Sequence, residues 1–152
     1  MLFMTVRTLH ILAAIWFTCG VAAYVVTRLT LLKRQDAREV QMLVGLMERF
    51  RNLMIRPGGM LLVIFGLWTA YYEAWPRFSL YAIALLIIMV PFIVLTVKGT
   101  LKIVAASAAA AQSGAITPEL DAAMRDRKLA IGVSGASIIT FLFLLLMLIK
   151  PA

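Results

Sequence analysis

The residue in this sequence best suited to chemistry is His10, the only histidine among 152 residues. At helical spacing it shares a face with Ala13, Ala14, Phe17 and Val21. Small side chains beside an imidazole leave clearance for a flat macrocycle. His10 is therefore a candidate axial ligand of a heme b, with Ala13, Ala14 and Phe17 as candidate macrocycle contacts. No second histidine completes a bis-histidine site within the chain, so a methionine, a lysine, water or His10 of another protomer would take the opposite position. Copper is the other metal these residues suggest, since Met1 and Met4 add soft thioethers near His10 at irregular spacing. A structural role stands beside both, because a lone histidine near a membrane interface hydrogen-bonds to a neighbouring helix or to water at little cost.

Little else in the sequence suggests reactivity. Glu73 is the one acid far from the basic segments, and Arg77, four residues on, is its expected salt-bridge partner. Cys19 is the single cysteine and lies in an apolar run; it reads as a small packing residue, and one chain offers no disulfide or CxxC site. Arg28 and Arg56 lie where apolar stretches end, and both are expected to snorkel. With no glycine-rich phosphate loop, no Ser/His/Asp set and no paired carboxylates in an apolar run, no residue is assigned a catalytic role.

The elements that position His10 follow from composition. The chain is 63% hydrophobic and 14% charged, which is more apolar surface than a soluble domain of this length buries. Four segments, 9–32, 58–75, 78–97 and 129–149, each approach the roughly 20 residues a helix needs to cross a bilayer. Lipid requires the backbone to satisfy its own hydrogen bonds, and the alternation of a barrel strand is missing, so the fold class is an all-α four-helix transmembrane bundle forming one domain over 1–152. The first segment is a full span without an A-x-A site after it, and reads as a retained helix. Of fifteen Lys and Arg, twelve fall in the first and third loops or at the adjoining helix ends, and only Arg7, Arg77 and Lys150 lie on the other side. That asymmetry predicts an N-out/C-out topology in a bacterial cytoplasmic membrane, with the basic loops inside and facing anionic headgroups. The net charge of +8 then reports topology rather than nucleic-acid binding. Trp68, Tyr71, Tyr72, Trp75, Phe78 and Tyr81 around Pro76-Arg77 form the expected outer aromatic belt.

The long loops read as helical cytoplasmic extensions. Asp36 and Glu39 fit a capping box, and Val40, Leu43, Met47, Phe50 and Met54 then recur at heptad spacing until Pro57 interrupts the pattern. Span three runs past Lys98 to about Gln112, Ser113-Gly114 marks a turn, and Thr117-Pro118-Glu119 is a helix start with Thr as cap. Gly66 with Ala70, and Gly132 with Ala136, give small-xxx-small pairs for close helix approach, as do Ala130 and Ser134. Pro91 is expected to kink the third span.

Leu9-His10-Ile11 followed by Trp16-Phe17, Gly20, Tyr24 and Arg28 resembles the first helix of HemJ-type protoporphyrinogen oxidases and CopD-like membrane proteins. So do Met47-Glu48-Arg49 with Pro57 and Phe65-Gly66-Leu67-Trp68, and the ending Lys150-Pro151. Over its whole length the chain is most similar to a family of small predicted bacterial integral membrane proteins of unknown function. The HemJ resemblance implies heme binding at His10. The chain departs from it at Leu29–Leu32, where further histidines would follow the first helix, and in its uncharged third span, which lacks the functional lysine. Two functions are therefore expected: an accessory subunit of a larger membrane complex, redox or photosynthetic, or a heme-binding membrane redox protein. Its partners would be the bilayer and other membrane subunits or a second copy.

Overall fold

A computed structural model describes residues 2–75 and 77–149, and among these the chain is helical with short connections. Helix α1 spans Leu2–Leu31 and α2 Ala37–Phe50; a π-helical turn, Arg51–Ile55, carries α2 directly into α3, Arg56–Tyr72. Helix α4 spans Arg77–Ser113, α5 Pro118–Met124 and α6 Arg127–Ile149. Four continuous or nearly continuous rods result, Leu2–Leu31, Ala37–Tyr72, Arg77–Ser113 and Pro118–Ile149, each long and apolar enough to cross a membrane. At 1.5 Å per residue the 37 residues of α4 reach about 55 Å, well beyond a hydrocarbon core of about 30 Å. The excess lies at the basic end.

Local signals decide where these rods begin and stop. The Thr117 hydroxyl accepts from the Leu120 amide at 3.3 Å with Pro118 in the first turn, and Gly114 takes the left-handed conformation (φ +70°) just past α4. Asp36 caps α2 by accepting from the Arg38 amide at 3.1 Å. The capping box is only half formed, because Glu39 turns to Arg34 at 3.3 Å instead of reaching back to the cap. The Glu73–Arg77 pair does not form either. Helix α3 ends at Tyr72 and α4 starts at Arg77, so the two side chains never share the helical face that an i,i+4 bridge requires.

Between them the chain turns through Ala74 and Trp75, both at φ 56°. The Trp75 amide donates to the Ala70 carbonyl at 2.9 Å and the Ala74 amide to Tyr71 at 3.3 Å, the Schellman pattern, with alanine where glycine is favoured. Ala74→Gly is expected to stabilise the protein by about 0.5–1 kcal/mol by relieving the left-handed Cβ, read as a later midpoint in mixed-micelle unfolding. The aromatic belt is present here: Phe3 of α1 meets Tyr72 edge-on at 5.9 Å, with Trp68, Tyr71, Trp75 and Tyr81 exposed. Pro76, Lys150 and Pro151 lie outside the described residues.

Helix α1 packs on α3 and α4 on α6, and the two pairs join mainly where α2 meets α4, at the basic end. The larger core sits there, built from Leu31, Val40, Met47, Ile103, Leu120 and Leu129, each at most 1% exposed. A smaller cluster, Phe17, Met89 and Ile139, lies within the spans. Glycines set the spacing of each pair. A Cβ on Gly58 would stand 3.1 Å from the Phe17 backbone, and one on Gly132 would stand 2.8 Å from the Thr96 backbone nitrogen. Of the small residues predicted to line close contacts, Ala70 and Gly132 are buried and Ser134 is exposed. Cys19 is exposed too. It lies on the outward stripe with Leu12, Ile15 and Trp16, so it is not buried in a helix contact as the sequence suggests.

Candidate functional site

His10 faces α3. A Cβ on Gly66 would meet the imidazole Cε1 at 3.0 Å and Nδ1 at 3.4 Å, so the ring lies directly over the glycine backbone and depends on the missing side chain. The backbone of Leu62, one turn earlier, interacts with the ring, while Nδ1 is buried and makes no hydrogen bond. Ala13, Ala14 and Phe17 do share the His10 face, and all three are buried at 5–7% exposure. What covers that face is α3, through Gly58 and Gly59 against Phe17 and through Gly66 against His10. The clearance that small side chains leave is filled by a helix backbone, and a macrocycle against these residues requires α3 to stand away. Met4 is exposed and lies six residues, or about 120° of helix rotation, from His10, so the two do not converge. Met1 lies outside the described residues.

A second polar centre, largely missed by sequence reasoning, sits where α1, the π turn and α4 meet. The turn exists because of Pro57. A proline lacks the amide that would donate to the carbonyl four residues back, Leu53, and its ring crowds that carbonyl. The chain answers by widening: the Arg56 amide donates to Arg51, five residues back, and the helix continues where an interruption was expected. The freed Leu53 carbonyl accepts from Trp16 Nε1 on α1 at 3.2 Å. Trp16→Phe removes that donor and is expected to cost about 0.5–1.5 kcal/mol, measured by far-UV circular dichroism during unfolding in mixed micelles.

The π turn also swings its first residue inward. Arg51 is 8% exposed and Arg28, in the last turn of α1, 7%. Arg51 pairs with Glu48 at 3.0 Å and its Nε reaches Asn52 Oδ1 at 3.4 Å. Arg28 forms no ion pair among the described residues, and Arg28 Nε and Arg51 Nη1 are both buried without a hydrogen bond. Both guanidinium groups lie in electrostatic range of the Tyr24 hydroxyl, which itself bonds Thr100 Oγ1 of α4 at 2.5 Å; that hydroxyl in turn donates to the Thr96 carbonyl at 2.7 Å. Arg56 is exposed, as snorkelling predicts. Arg28 is not, because α2 and the π turn pack over the end of α1. No periodicity signals such burial; Pro57 with an indole on a neighbouring span is the one available hint.

These four spans, with both polar centres, lie within one family match. Residues 4–151 match a family described as "Predicted integral membrane protein (DUF2269)". The chain belongs to that family. No curated protein and no solved structure matches it. The DUF2269 match takes in α1 with His10 and Arg28, the π turn and the whole of α4 to α6.

Proposed function

We propose that this DUF2269 protein is an accessory component of a larger membrane complex, redox or photosynthetic, in a bacterial cytoplasmic membrane, with its termini outside and its basic end in the cytoplasm. The observation that carries the reading is the relation of α3 to α4. A short turn joins them, yet they do not pack along their lengths, and their apolar windows are only 11% and 6% buried, against 28% for α1. Leu61, Ile64 and Leu67 on α3 and Ile87 and Ile88 on α4 present large side chains outward. A transmembrane helix of another subunit fits between two such rods, where lipid otherwise lies.

Photo-crosslinking residues at Leu67 and Ile87, with one at Leu148 as control, test it in the native membrane. A discrete, near-stoichiometric adduct with another membrane polypeptide is expected from the first two positions. Adducts with lipid alone overturn the proposal. Alkaline phosphatase fused after Ile149 is expected to be active; an inactive fusion with an active one at Gly114 reverses the topology.

A second reading, heme b on His10, draws on the buried unpartnered Nδ1 and on the HemJ resemblance. It needs α3 displaced from Ala13, Ala14 and Phe17. A Soret band in the purified protein, lost in His10→Ala, supports it, and a colourless protein that co-purifies with other subunits sinks it.

A further inference from the structure

We propose that Arg28 and Arg51 form a binding site for a phosphate oxyanion at the basic end of the spans. This proposal is independent of the accessory-subunit reading. A guanidinium sealed from water retains its charge and needs acceptors; leaving it without them costs heavily. Arg51 has Glu48, but its Nη1 is unsatisfied, and Arg28 has no carboxylate. The remaining six acids are elsewhere: Glu39 is held by Arg34, Asp121 by Arg125 and Asp126 by Lys102, Asp36 is exposed as the cap of α2 and Glu119 is exposed in the first turn of α5, and Glu73 lies at the far end of α3. Two buried cations against one carboxylate leave one positive charge and two buried N–H donors unmatched, on two different elements and both within electrostatic range of Tyr24. A phosphate has oxygens enough to accept from both guanidinium groups, and arginine suits it through its planar set of donors.

The depth fits a lipid source. Arg28 is in the last turn of a membrane-crossing helix, the level at which headgroup phosphates lie, at the end that carries twelve of fifteen basic residues. Free inorganic phosphate offers the same oxygens, and the test separates the two.

The purified, delipidated full chain in a neutral detergent is melted with phosphatidylglycerol, diacylglycerol, which lacks the phosphate, inorganic phosphate or no addition. Expected are a saturable rise in melting temperature with phosphatidylglycerol, none with diacylglycerol, and at least a tenfold loss of apparent affinity in Arg28→Met. Arg34→Gln, an exposed cation at the same end, should bind as the wild type does. Without lipid, Arg28→Met is expected to melt at or above the wild type, since an unpaired buried charge is gone; should it not fold, Arg28→Lys takes its place, with affinity falling at least fivefold. A response to inorganic phosphate as well supports the site with a free-anion source. No response to either phosphate compound, an equal response to diacylglycerol, or an equal affinity loss in Arg34→Gln and Arg28→Met overturns it.

Discussion

Gly132→Leu is expected to break the α4–α6 pair and cost about 3 kcal/mol or more, enough to leave little folded protein. A Cβ at this position would lie 2.8 Å from the Thr96 nitrogen and Oγ1 and 2.9 Å from Leu95 Cβ. A backbone atom and a Cβ cannot rotate aside, so the helices must separate. The same seam holds Gly99 against Leu129 and Gly135 against the Phe92 ring, and all three contacts loosen together. In lipid nothing drives the helices back, because hydrocarbon solvates leucine as well as a neighbouring helix does and only close packing and hydrogen bonds favour the pair. Loss of the monodisperse helical species in mild detergent is the readout. Gly45→Leu, where an added Cβ meets nothing within 4 Å, should leave it intact.

Leu120→Ala is expected to destabilise the protein by about 2–5 kcal/mol, although Leu120 lies on a helix of only seven residues outside the long apolar stretches. Its side chain is 1% exposed in the core at the basic end. Leu120 and Met124 join this core from outside the apolar spans, where water restores the hydrophobic effect that lipid removes. So short a helix does not persist alone; α5 holds its shape because Leu120 and Met124 are buried against the other helices. An equal truncation at Leu148, 80% exposed at the opposite end, should change stability by less than about 0.5 kcal/mol. The pair of midpoints in denaturant titrations checks both. Equal losses would mean that the bundle is held uniformly rather than from one end.

The features legible in the sequence are those fixed by neighbouring residues. Thr117-Pro118 and Gly114 act through backbone groups within a few positions, so cap, start and stop fall where expected. The four spans and the buried face of Ala13, Ala14 and Phe17 follow from composition and helical period in the same way. Features that depend on a distant partner were not legible. The occupant of the His10 face is the backbone at Gly58 and Gly66, some fifty residues along the chain. Pro57 reads as an interruption until Trp16, from another helix, supplies a donor for the Leu53 carbonyl. Arg28 reads as an interfacial cation because its spacing says nothing of α2 folding over it.

The division into two helix pairs joined at one end bears on how the chain is made. Each pair closes within its own half of the sequence: α1 with α2 and α3, then α4 with α5 and α6. The first hairpin is complete when the ribosome begins the second, and the connection between Tyr72 and Arg77 divides the two. Separately translated halves divided at that connection should therefore find each other through the junction of α2 and α4 at the basic end, and co-purify on a single tag. Covalent continuity between the halves sets their one-to-one supply and adds little to what holds them together.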